Sequence, residues 1–193
     1  MKVSFNSPVI LTFSFLCAIV YLLTSVNIAE NLFTLQPEWN FSSVSWYFKF
    51  FTHSLGHASS EHLIGNLAFL LLLGPIVEEK YGGKNLVIML FTCSLVTGLI
   101  HVLFFDVALL GASGIVFMLI LLASLVNFKN KEIPLTFILI ALIYLGKEIM
   151  GTFESDNISH STHIIGGIVG AVFGFSLAGK KAKAKSNNNL DVV

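Results

Sequence analysis

The chain has 193 residues, of which 55% are hydrophobic and only 11% charged, with 18 Phe and a formal net charge of zero. Its mean hydropathy is +0.83. That composition excludes a soluble globular domain, reads as an integral membrane protein whose surroundings are the lipid bilayer, and offers no basic footprint for nucleic acid.

Six apolar stretches, 8–27, 62–80, 86–105, 108–127, 133–151 and 160–178, meet the requirement of about 20 residues for crossing the hydrocarbon. The first follows a single Lys and lacks a small-residue cleavage site after a short apolar core, so a retained span is expected and not a signal peptide. Cys17 in the first stretch and Cys93 in the third lie among apolar neighbours, where a thiol behaves as a small hydrophobe. They point to neither a disulfide framework nor a metal cluster. The expected organisation is one all-α membrane domain over 1–179, followed by a Lys- and Asn-rich tail over 180–193. The tail has no apolar periodicity and is expected to be a disordered cytoplasmic end that meets anionic lipid.

All 11 basic residues are Lys. Threaded through six spans, Lys2, Lys80, Lys84, Lys129, Lys131, Lys180, Lys181, Lys183 and Lys185 fall on one side, and only Lys49 and Lys147 on the other. The positive-inside rule then places both termini in the cytoplasm. The absence of organellar signals and the compact form point to a multi-pass protein of a bacterial inner membrane.

In this topology the second, fourth and sixth spans all run from outside to inside. His62 and Asn66 open the second, Ser113 stands near the start of the fourth, and His163 begins the sixth. At 1.5 Å per residue these groups lie within roughly 10 Å of one membrane face. Polar groups at that depth face a bundle interior or a wet cavity. A serine hydroxyl becomes a nucleophile when a neighbouring base takes its proton, and the resulting oxyanion needs fixed donors. Each piece also has a plainer reading. Gly111-Ala112-Ser113-Gly114 is a close-packing surface, and His62 with Asn66, four residues apart on one helix face, is a polar helix–helix contact. His163 heads a stripe of small residues, Gly166, Gly167, Gly170 and Gly174, that lets the sixth span approach a neighbour closely. If that neighbour is the fourth span, where Gly114 leaves room, His163 reaches Ser113.

These residues resemble the rhomboid intramembrane serine proteases over nearly the whole chain. The resemblance rests on His57-x4-His62-x3-Asn66 opening the second span, Gly111-x-Ser113-Gly114 in the fourth and His163-x2-Gly166-x3-Gly170 in the sixth. Glu78 and Gly82, after Gly74 near the end of the second span, also look like the family's pattern. The resemblance implies the minimal six-helix form of the fold, with Ser113 as nucleophile and His163 as general base of a dyad lacking an acidic third member. It implies that the Ser113 backbone N–H and the side chains of His62 and Asn66 hold the oxyanion, and that His57 has a structural role. No cofactor and no metal are implied, and the partners would be transmembrane protein substrates cleaved in or near their membrane segments. The chain departs from the family in its first outer loop, where Trp46-Tyr47-Phe48-Lys49 stands in place of a frequent Trp-Arg pair. Lys49 supplies charge there but not a bidentate guanidinium.

Rival classes are weaker. A catalytically inactive relative that binds membrane clients would be expected to lack the serine or the histidine, and both are present. A metal protein could draw on His53, His57 and His62, yet their spacing of four and five is loose, and Glu61-His62 reverses the order of a His-Glu-x-x-His motif. A transporter would want charges in mid-membrane, whereas Lys147 and Glu148 lie near the outer end of the fifth span. The polar segment from Gly151 to Thr162 reads equally as a mobile cap over the site or as an ordinary surface loop.

Overall fold

The computed structural model describes residues 3–126, 132–151 and 160–188. Among the described residues seven α-helices follow in order: α1 (Pro8–Ser25), α2 (Val44–Thr52), α3 (Ser60–Tyr81), α4 (Gly83–Phe104), α5 (Ser113–Ser124), α6 (Leu135–Gly151) and α7 (His160–Asn188). Single 3-10 turns occupy Glu30–Leu32 and His53–Leu55. An isolated antiparallel bridge joins Leu35 to Leu109.

Among the described residues, four helices are long and apolar enough to cross a membrane: α1, α3, α4 and the Leu177-terminated part of α7. The apolar helices α5 and α6 are shorter, at 12 and 17 residues. The fourth predicted span therefore needs correction, because the helix starts at Ser113 and not at 108. Gly111 takes φ +128°, which no right-handed helix contains. Leu109 and Gly111 instead give their backbone groups to Leu35 and His53. The apolar pair Leu109-Leu110 carried a helical pattern into what is a loop, exposed over 105–108 and buried at Leu109, Gly111 and Ala112. Helix α2 was not anticipated at all; its apolar run is too short to register as a span. At the other end, α7 stays helical as far as Asn188, across most of the stretch whose composition suggested a tail.

Helix α5 is the centre of the molecule. Every residue from Gly114 to Leu122 is buried, as expected of a helix that is apolar all round. Helices α3, α4, α6 and α7 all pack against it. The closest approach is to α7, where small residues repeat every fourth position. A Cβ on Gly166 would run into the Gly114 carbonyl oxygen, one on Gly170 would lie 2.5 Å from the Met118 oxygen, and one on Gly174 would lie 2.5 Å from Leu125 Cδ1. Lipid-facing positions are apolar too: Phe15 on α1, Leu72 on α3, Phe91 on α4, Leu142 on α6 and Val172 on α7 are all exposed. An apolar core inside an apolar exterior is the arrangement of a multi-pass membrane protein.

Helix α1 is tied to this core by a cap supplied from another helix. Pro8 at its first position has no N–H to satisfy, and the next two N–H groups, of Val9 and Ile10, donate to the Glu78 carboxylate of α3 at 3.1 Å each. The buried carboxylate thus meets the positive end of the α1 dipole. One turn before Glu78, Gly74 lets Ile10 lie directly on α3; a Cβ there would be 2.5 Å from Ile10 Cγ1.

Candidate active site

Ser113 is the first residue of α5, so its backbone N–H is one of the orphan donors of a helix N-terminus. The chain arrives there through Gly111, whose N–H donates to the His53 carbonyl at 2.9 Å. His62, in the first turn of α3, fills the space a side chain at Gly111 would need: a Cβ would meet its Cε1 at 2.7 Å and its Nε2 at 2.9 Å. Gly111 is therefore required twice, for its positive φ and for the approach of this ring. The His62 imidazole rests against the turn that presents Ser113.

Asn66 lies one turn further along α3 and is buried. Its Nδ2 is 3.0 Å from His57 Nε2, and His57 Nδ1 is 3.1 Å from the Leu55 carbonyl oxygen. A carbonyl only accepts, so Nδ1 carries the proton and Nε2 is a bare acceptor. The Asn66 amide must then donate one N–H to His57, which leaves its second N–H to point elsewhere. Burial, reinforced by the neighbouring His62, lowers the His57 pKa from 6.5 to about 4, against the pull of the Leu55 carbonyl. The ring is accordingly neutral at physiological pH and remains an acceptor. The His57 and His62 rings lie 5.0 Å apart, edge to face.

His163 arrives from α7. Its ring stacks on Phe117 with centroids 4.4 Å apart and planes at 6°. Phe117 is four residues after Ser113 and shares its helix face. Three residues after His163, Gly166 lies against the Gly114 backbone, while the methyl of Thr162 sits where a Gly114 Cβ would be only 3.1 Å away. The structure thus gathers Ser113, His163, His62, Asn66, Gly111, Gly114, His57 and Gly166 around one end of α5, with Gly170 one turn deeper.

The other histidines go elsewhere. His53 is fully buried against α4, its Nε2–H donating to the Ser94 carbonyl at 3.0 Å. Gly98 makes room for it; a Cβ there would be 3.3 Å from the His53 ring. With His53 turned to α4 and His57 to Leu55 and Asn66, the trio considered as metal ligands does not converge, and among the described residues no group of three or more His, Cys, Asp or Glu could hold a metal ion. Most of the polar segment considered as a cap, residues 152–159, lies outside the described residues.

Phe117, the platform for His163, was missed by the sequence analysis. Its spacing of four from Ser113 was visible, but an apolar residue in an apolar helix carries no mark of its partner. His101, which bonds the loop before Ser113, was missed for a similar reason.

The Rhomboid domain family matches residues 44–180. Among curated relatives, the rhomboid protease GlpG of Haemophilus influenzae is 23% identical over 165 residues, covering 83% of this chain and 85% of that protein. The rhomboid protease GlpG of an Enterobacter species is 26% identical over 168 residues, and that of Salmonella choleraesuis 26% over 167. The chain spans 59% of the length of each of these two. The motifs that gather at the end of α5 all lie within the matched region, and the chain belongs to the rhomboid family.

Proposed function

We propose that this rhomboid-family chain is an intramembrane serine endopeptidase that hydrolyses peptide bonds in or near transmembrane segments of other membrane proteins, with Ser113 as nucleophile and His163 as general base. The observation that carries this reading is the seating of the His163 ring on Phe117, on the face of α5 that begins with Ser113. In the proposed reaction, Ser113 Oγ attacks the scissile carbonyl as its proton passes to His163. The oxyanion takes hydrogen bonds from the Ser113 N–H, from a His62 ring N–H and from the second N–H of Asn66. As the C–N bond breaks, His163 returns the proton to the leaving amine. Water, activated by the same histidine, then hydrolyses the acyl-enzyme.

A peptide bond within a helix is shielded by the backbone hydrogen bonds around it. The substrate segment must therefore unwind locally, in a cavity that admits water while the surrounding helices exclude lipid. Six membrane passes, both termini in the cytoplasm and a bacterial inner membrane complete the reading. They are supported by the apolar character of α5 and α6 and by the one-sided placement of Lys.

Labelling of detergent-solubilised protein with a fluorescent fluorophosphonate tests the dyad without a known substrate. Wild type should label, and both Ser113→Ala and His163→Ala should lose the label, because nucleophile and base act as a unit. Undiminished labelling of folded Ser113→Ala would remove Ser113 from the nucleophile's role.

A further inference from the structure

The loop 105–112 delivers Ser113 without a helix or strand of its own; besides the helix-end bonds of the Phe105 N–H and the Ala112 carbonyl, its backbone is tied at three places. Leu109 exchanges both its N–H and its C=O with Leu35, at 2.9 Å each. The Gly111 N–H donates to the His53 carbonyl at 2.9 Å. The Val107 carbonyl accepts from His101 Nε2–H at 2.8 Å. The first two ties are backbone to backbone and persist whatever the side chains are. The third depends on a side chain, and it holds the loop between Phe105, whose N–H bonds the His101 carbonyl, and Leu109.

His101 is suited to that task. It sits in the last turn of α4 with 1% of its surface exposed, and its ring stacks on Phe105 at 5.3 Å with planes at 25°. The stack sets the ring plane, and the hydrogen bond then sets where Val107 lies. Four residues later the same stretch of chain places Gly111 under His62, and two residues further on Ser113 enters α5. Misplacement of a reacting group by about 1 Å can cost on the order of 10²-fold in rate, so slack in this loop would reach the nucleophile.

We infer that His101 is a positioning residue, holding the Val107 carbonyl so that the loop presents Ser113 in reactive register. The inference rests on Ser113 being the nucleophile. The competing explanation is that His101 merely fills space beside Phe105, and two substitutions separate the two. His101→Phe keeps a ring to stack on Phe105 but has no donor. His101→Gln gives up the ring but carries an amide N–H at about the same reach from the backbone.

The full-length variants would be labelled with the fluorophosphonate over a range of concentrations, beside Ser113→Ala and with unfolding midpoints measured in the same detergent. Positioning predicts that His101→Gln labels close to the wild-type rate. His101→Phe should fall about tenfold in saturating rate with its half-saturating concentration unchanged, as for the loss of one hydrogen bond. Should His101→Phe fail to fold, the smaller His101→Leu takes its place with the same expectation. Wild-type labelling of folded His101→Phe, or a loss in His101→Gln equal to that in His101→Phe, would overturn the inference. A label that survives Ser113→Ala would instead sink the nucleophile assignment itself.

Discussion

Asn66 shows how a single side chain acquires a role through its neighbours. Leu55 fixes the tautomer of His57, and His57 fixes the orientation of the Asn66 amide. In the proposed reaction the remaining amide hydrogen is left for the oxyanion. Because burial keeps His57 neutral down to about pH 4, this orientation does not switch in the physiological range. Asn66→Ala should therefore lower the fluorophosphonate labelling rate by about 10² to 10³ with the fold intact. His57→Ala should cost less. The double variant should be no worse than Asn66→Ala alone, because His57 acts through Asn66. Additive losses in the double variant would show that His57 contributes by another route. The four-residue spacing of His62 and Asn66 was readable from the sequence. The tautomer chain was not, since it depends on a carbonyl in the preceding turn.

Between α5 and α7 the decisive chemistry is the absence of side chains. Gly166 lies against the Gly114 backbone, and backbone cannot swing aside as the end of a long side chain can. Gly166→Leu should force the two helices apart, lowering the unfolding midpoint by an amount equivalent to about 1–3 kcal/mol or more and abolishing labelling as His163 loses its seat on Phe117. Gly65→Ala is the matched control, because nothing lies within 4 Å of a Cβ at that position on α3. A fully active Gly166→Leu would show that the glycine stripe does not set the position of His163. The stripe itself was legible as small residues at helical spacing. Its partner was not, because every helix here is apolar and several carry small residues. Helix α1 makes the same point: its Pro8 start was visible, but the carboxylate that caps it comes from Glu78, 68 residues from Ile10 in the chain.

At the scale of the whole molecule, α5 rises only about 18 Å for its 12 residues, against a hydrocarbon core of about 30 Å. A helix that short would place Ser113 inside the membrane thickness once its inner end reaches the opposite surface, which is why the residues just before it must be tied; Leu109, Gly111 and Ala112 are buried there, while Phe105 to Ala108 are exposed. The Lys distribution predicts the orientation of this arrangement. A green fluorescent protein fused after residue 188 should fluoresce, and an alkaline phosphatase fused after Gly151 should be active; the reverse pattern would overturn the cytoplasmic placement of the termini. The sequence by itself determined the apolar surroundings, the long apolar stretches of α1, α3, α4 and α7, and the family resemblance, and it set the expectation of a common depth for Ser113, His62, Asn66 and His163, because hydropathy, charge asymmetry and motif spacing are properties of the chain as written. Only the tertiary structure decided that α5 starts at Ser113, that His163 sits on Phe117 and that Glu78 caps α1. Each of those outcomes depends on which apolar helix lies against which, and among uniformly apolar helices that choice rests on the fit of particular surfaces and not on their hydrophobicity.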